Sequence, residues 1–129
     1  MPVKKITTNL MTTHMAETVR FYTDLLGFEV GMSVPEEAPY NWVQLNSGNS
    51  ELMFQTQESM AAENQEFEKM PIGASMGLYF EIDGLTEIHK ELRKLNVMVS
   101  EIEEKFYGMN ECHLKDPNGY YITLAERAK

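Results

Sequence analysis

The chain repeats itself. The triplet Leu26-Gly27-Phe28 recurs as Leu95-Asn96-Val97 sixty-nine residues later, and Leu52-Met53-Phe54 lies over Ile122-Thr123-Leu124 at a distance of seventy, each of these strands following a turn glycine, Gly48 or Gly119. Two modules are therefore expected, about 4–56 and 76–127, joined by a linker at about 57–75. A duplicated strand-helix-strand unit places its ligand site between the copies, so ligand-facing residues should come in matched pairs. At 129 residues, 43% of them hydrophobic, the chain is one domain by length, able to bury roughly two-thirds of its unfolded surface.

Composition narrows the partners. Twenty acidic against eleven basic residues leave a net charge of −9, which argues against nucleic acid and favours cationic ligands. No apolar run approaches the roughly 20 residues that span a bilayer, and the N-terminus lacks the apolar core of a signal peptide. With the single cysteine, Cys112, this points to the cytoplasm.

Local patterns supply the elements. Ile6 to Met11 alternates as a strand, with Thr7, Asn9 and Met11 on one face and Ile6, Thr8 and Leu10 on the other. Met15, Val19, Tyr22 and Leu26 recur at helical spacing, starting near Thr13 or His14 and stopping at Gly27. Trp42 to Asn46 and Glu51 to Gln55 read as a hairpin through Ser47-Gly48-Asn49. Within the polar linker a short helix is expected around Ala61 to Phe67. The second module opens with alternating Leu78, Phe80 and Ile82, then a helix with the stripe Leu85, Ile88, Leu92 and Leu95. Asp83 is its expected cap, and Asn96 takes the left-handed role of Gly27. Glu111 to Lys115 and Tyr120 to Ala125 close the module around Asp116-Pro117-Asn118-Gly119.

Phe21-Tyr22-Thr23-Asp24-Leu25-Leu26-Gly27-Phe28, together with Asp116-Pro117-Asn118-Gly119-Tyr120 before the last strand, resembles the glyoxalase, bleomycin-resistance and extradiol-dioxygenase superfamily, the vicinal oxygen chelate proteins. The resemblance implies an α+β fold of two tandem βαβββ modules, a curved mixed sheet around a cleft with helices on its convex face, in many members completed by a second subunit. It also implies, in metal-dependent members, a divalent ion held by His and Glu side chains. The four ligand positions fall here on Thr7, Met53, Gly77 and Thr123, which repeat the seventy-residue offset. Zinc, nickel, iron or manganese need imidazole, carboxylate or thiolate donors, so none of the four is a usual ligand and no metal is expected. His14, His89 and His113 show no paired ligand spacing.

Alternation and the repeat put Thr7, Asn9, Met11, Trp42, Gln44, Met53, Gly77, Tyr79, Glu81, Glu111, His113, Tyr121 and Thr123 toward the cleft, with Phe106 and Tyr107 in a flanking loop and Cys112 and Leu114 toward the helices. That aromatic and thioether surface suits an organic ligand. Glu81 and Glu111 beside Tyr79 and Trp42 can hold a cation by charge and cation–π attraction. The expectation is a homodimer that binds a small organic molecule, cationic or aromatic, without metal or other cofactor and without catalysis. Two alternatives stand beside it: a metal-dependent glyoxalase I-like lyase or isomerase or a dioxygenase, and a metal-free proton-transfer enzyme using Glu81 or His113 as base and Tyr79 as donor.

Overall fold

Period-two alternation broken by glycine turns produces eight strands, and the two helical stripes become helices behind them. A computed structural model describes residues 1–129. In chain order the elements are β1 (Asn9–Thr12), α1 (Met15–Arg20) running into a π-helical turn (Phe21–Leu25), β2 (Glu29–Val34), β3 (Trp42–Ser47) and β4 (Ser50–Thr56). Then come α2 (Gln57–Glu63), a 3₁₀ turn (Gln65–Lys69), β5 (Gly77–Glu81), α3 (Leu85–Lys94), β6 (Glu103–Glu104), β7 (Met109–Lys115) and β8 (Tyr121–Arg127). The chain forms two units, Met1–Ile72 and Gly73–Lys129.

Each unit holds one four-stranded mixed sheet, in the order β1-β4-β3-β2 or β5-β8-β7-β6, whose first strand runs parallel to its last and whose other pairs are antiparallel. The fold is thus α+β with two tandem βαβββ modules. Hydrogen-bonded register carries the repeat: Asn9 lies opposite Met53, and Tyr79 opposite Thr123, both steps of seventy residues.

The helices obey the same rule with one exception. Met15 and Leu85 start them seventy residues apart, yet the left-handed residues that end them, Gly27 (φ 75°) and Asn96 (φ 61°), stand sixty-nine apart. The first copy holds one more residue, and the π turn absorbs it. The N–H of Phe28 donates to the carbonyl of Tyr22 at 2.9 Å, whereas the matching bond in the second copy, from Val97 to Leu92 at 2.9 Å, spans one residue fewer. That second pattern, with Asn96 donating to Arg93 at 3.0 Å, is a Schellman cap.

Alternate side chains of each sheet pack under its helix. In the first unit Leu10, Val43, Leu45, Leu52 and Phe54 are buried, with the fully buried Tyr22 ring 5.2 Å from Phe54 and 5.6 Å from Phe28. In the second, Cys112, Leu114, Ile122 and Leu124 join Leu85 and Leu92 of α3. Burial pushes the Cys112 thiol up to about 11, so it stays an inert core group.

Several local expectations need correction. Leu95 is exposed rather than part of the stripe, because α3 stops one residue earlier and Asn96 turns the chain away. Asp83 does not cap α3. Gly84 holds the N-cap position at φ 75°, and the Glu126 carboxylate of β8 accepts from the N–H groups of Gly84 (2.8 Å) and Leu85 (3.3 Å). The linker helix begins earlier than expected, at Gln57, where the Thr56 hydroxyl accepts from the Ser59 N–H at 3.2 Å. It lies against β1 and β4. Ser59 and Glu63 of α2 take the two hydrogen bonds of the Gln55 side-chain amide, at 2.9 and 3.1 Å, so α2 reaches the sheet face that carries Met11 and Gln55 and both are buried there.

Candidate functional site

In the second unit the residues that point away from α3 are set by the strand register. Gly77, Tyr79 and Glu81 of β5 lie opposite Tyr121, Thr123 and Ala125 of β8, which in turn lie opposite Lys115, His113 and Glu111 of β7. Alternation alone predicts this face, and the structure brings five of its groups into two contacting clusters. Glu111 is only 3% exposed, yet its Oε2 accepts two short hydrogen bonds, from the Tyr79 hydroxyl and the Tyr107 hydroxyl, each at 2.6 Å. His113 Nδ1 stands 2.9 Å from the Thr123 hydroxyl, and its ring stacks on Tyr121 with centroids 5.5 Å apart.

Tyr107 arrives from a tight hairpin. The Lys105 N–H donates to the carbonyl of Met109 at 2.7 Å and the Gly108 N–H to that of Lys105 at 3.0 Å, with Gly108 at φ 83°. A three-residue loop of this kind needs a left-handed last residue, which glycine supplies. The turn leaves Phe106 fully exposed at its tip, its ring 5.1 Å from that of Tyr107.

The electrostatics follow from this contact. Burial works to raise the Glu111 carboxyl, but the Tyr107 and Tyr79 hydroxyls, helped by His113 and Lys105, outweigh it and hold the group below the usual carboxylate range. The same hydrogen bond, with burial and the carboxylate charge, pushes the Tyr79 hydroxyl up to about 12, and Tyr107 shifts upward for the same reasons. Glu111 is therefore an anion between two neutral phenols. No Lys, Arg or His nitrogen comes within ion-pair distance of it. Tyr79, Tyr107 and Tyr121 remain about half exposed, and Glu81 stands exposed at the end of β5.

The first unit is arranged differently. Thr7, Asn9 and Gln44 sit on one face with Met53 and Trp42, but they converge on two residues that sequence reasoning did not select. The Glu51 carboxylate accepts from the Thr7 hydroxyl (3.1 Å) and the Gln44 amide (3.1 Å) and pairs with Lys5 at 3.0 Å. These contacts, Lys5 and Thr7 first among them, hold its carboxyl below the usual range. Asn9 donates to Gln55 at 2.9 Å. The signal was present in the sequence, since Glu51, Met53 and Gln55 share a face by alternation.

The four family ligand positions do not fit a metal. The Thr7 hydroxyl is engaged by Glu51 and that of Thr123 by His113, Met53 offers a thioether, and Gly77 offers no side chain. Nowhere do three His, Cys, Asp or Glu side chains gather in a way that could hold an ion. Zinc, nickel, iron and manganese sites need such donors.

Comparison with known proteins completes the description. The model of the Glyoxalase/Bleomycin resistance protein/Dioxygenase superfamily matches residues 6–124. No curated protein matches significantly in sequence. Among solved structures, TnmS3, an antibiotic binding protein from Streptomyces sp. CB03234, is 19% identical with a TM-score of 0.75, covering 99% of both chains. Lactoylglutathione lyase from Agrobacterium tumefaciens is 18% identical (TM-score 0.73, 97% of this chain and 95% of that one). A bleomycin resistance determinant encoded on the transposon Tn5 is 20% identical (TM-score 0.67, 97% and 98%). At these identities the likeness is one of fold.

Proposed function

We propose that this chain, which belongs to the glyoxalase/bleomycin resistance protein/dioxygenase superfamily, binds a small organic cation on the Tyr79–Glu111–Tyr107 face and holds it without a metal and without transforming it. One observation carries the reading: Glu111 is a buried, ionised carboxylate with two phenol donors and no cation within ion-pair distance. A buried charge normally has an opposite charge beside it. Here the half-exposed Tyr79 and Tyr107 rings stand beside the carboxylate, and aromatic faces attract cations in their own right. An antibiotic-binding protein and a bleomycin resistance determinant of the same fold support sequestration as the task.

The enzyme readings find less support. A lyase like the Agrobacterium neighbour would be metal-dependent in the sense the resemblance implies, and the donor set does not suit one. Acid–base catalysis with Glu81 or His113 as base and Tyr79 as donor finds less support, since the Tyr79 hydroxyl is engaged by Glu111 and, pushed up to about 12, moves away from neutrality, where proton transfer is efficient. A homodimer in the cytoplasm belongs to the same proposal, by the resemblance and by the lone buried Cys112. Light scattering tests the dimer through a particle of twice the chain mass.

The deciding experiment is a fluorescence titration with ethidium, a permanent aromatic cation, run beside a neutral phenanthridine, with bleomycin as a second ligand. The wild type should bind ethidium at least tenfold tighter than the neutral compound, and Glu111→Gln should remove that preference. Equal binding by wild type and Glu111→Gln would end the proposal.

A further inference from the structure

The first unit also carries an anion on the face turned from its helix, but there the chain supplies the cation itself. Glu51 Oε1 takes Lys5 Nζ at 3.0 Å and the Thr7 hydroxyl at 3.1 Å, while Oε2 takes the Gln44 amide at 3.1 Å. Gln44 is aimed from behind. Its Oε1 accepts the Met32 N–H at 3.1 Å, which turns its NH₂ group toward Glu51. The approach of Gln44 to β2 depends on Gly31, where a Cβ would collide with Gln44 Oε1 and come within 2.5 Å of Asn46 Nδ2. Register slips between Val30 and Ser33, so that a bulge carries this glycine.

Two parts of this arrangement, Glu51 and Gln44, belong to the folded sheet, Thr7 stands just ahead of β1, and Lys5 lies further out still. The Glu51 side chain is 17% exposed and fixed from β3 and from the strand-like run beside β4, where the Met53 N–H donates to the carbonyl of Thr8 at 2.9 Å. Lys5, by contrast, is 66% exposed on an N-terminal segment without regular structure. An exposed ion pair of this kind contributes little and exchanges readily with solvent. Chemically the Lys5 side chain is a butylammonium on a tether.

We propose that Glu51, Thr7 and Gln44 form a ready-made site for a primary alkylammonium group, which the chain fills with its own Lys5 and from which an aliphatic amine displaces it. A primary ammonium brings three N–H donors to an oxygen acceptor, and a quaternary ammonium brings none, so the site selects amines that carry hydrogens. The tether sets the competition. Lys5 acts as an intramolecular competitor, and an ion pair of ordinary surface strength raises the apparent dissociation constant of a free amine by about two- to fivefold. This site is made of residues other than Glu111 and its tyrosines and stands or falls independently of them.

The test is a titration of the full chain and of Lys5→Ala with n-butylammonium, with tetramethylammonium at equal ionic strength as control, followed on the side-chain amide resonances of Gln44. In Lys5→Ala, butylammonium should shift those resonances saturably and tetramethylammonium should not. Wild type should need about two- to fivefold more amine, and Glu51→Gln should abolish the response. Gly31→Ala, which displaces the Gln44 amide and leaves the core untouched, should weaken it. Identical responses to the two cations, or identical affinity in wild type and Lys5→Ala, would overturn the proposal.

Discussion

A carboxylate can stay ionised inside a protein only where hydrogen-bond donors replace the water it has lost. Glu111 meets that condition through Tyr79 and Tyr107, and the consequence is a pH dependence of known sign. Its carboxyl lies lower in the folded state than in the unfolded chain, so the stability it contributes is present above the unfolded value of about 4.5 and is lost as the pH falls through the lower folded value. Tyr79 works in the opposite direction. Its folded value is about 12 against 10.0 for the free group, so its contribution is present below pH 10.0 and is lost as the pH rises toward 12. Melting curves should therefore show the gap between wild type and Glu111→Gln largest between pH 5 and 9 and closing at both ends, within the range where the fold survives. A gap independent of pH would mean that Glu111 is not charged in the folded protein. Two members of this triad were legible in the sequence by alternation and the repeat, which place Tyr79 and Glu111 on one face. The third, Tyr107, was expected beside that face in a flanking loop, but its bond to Glu111 was not legible, since its hydroxyl arrives from a turn, where no periodicity governs direction. Nor does alternation distinguish a side chain that faces the open side from one that is also buried there, as Glu111 and Met11 both are.

Elements were legible to the extent that they bury a face. The strands β3, β4, β7 and β8 and both long helices announce themselves through apolar spacing, whereas β2 escaped notice because it is an edge strand whose Val30, Met32 and Val34 are all exposed. A strand that packs against little leaves no alternation to read. β6 is only two residues long, too short for a pattern. The start of α3 shows a different limit. Asp83 has the chemistry of a cap but lies one residue ahead of the N-cap position; Glu126, forty-one residues beyond Leu85, takes the role, and a tertiary cap cannot be seen in a local window. Glu126→Ala should cost about 0.5–2 kcal/mol, as loss of a cap does, while Asp83→Ala should stay within about 0.5 kcal/mol of wild type. Urea denaturation of the two variants decides between them, and the reverse order would restore Asp83 as the cap.

For the molecule as a whole, charge is the most visible term. Nine net negative charges on 129 residues repel one another across the surface, and salt shortens their reach from about 30 Å at 0.01 M to about 8 Å at 0.15 M. The four ion pairs present all involve exposed or partly exposed groups and lose little when screened. The melting temperature should therefore rise by a few degrees over that salt range, and a fall would show that the ion pairs outweigh the repulsion. No helix is long and apolar enough to cross a membrane. The internal duplication organises everything else, and the extra residue of its first helix sits in the π turn at Phe21–Leu25. In a strand, one added residue would reverse every later side chain, sending Met53 to the core and Phe54 to solvent. Housed in a helix, the same residue changes only the pitch of one turn, and the strands on either side keep their pairing. The π turn thus works as an expansion joint, letting the first helix grow by a residue while the strands on either side keep the facing of their side chains.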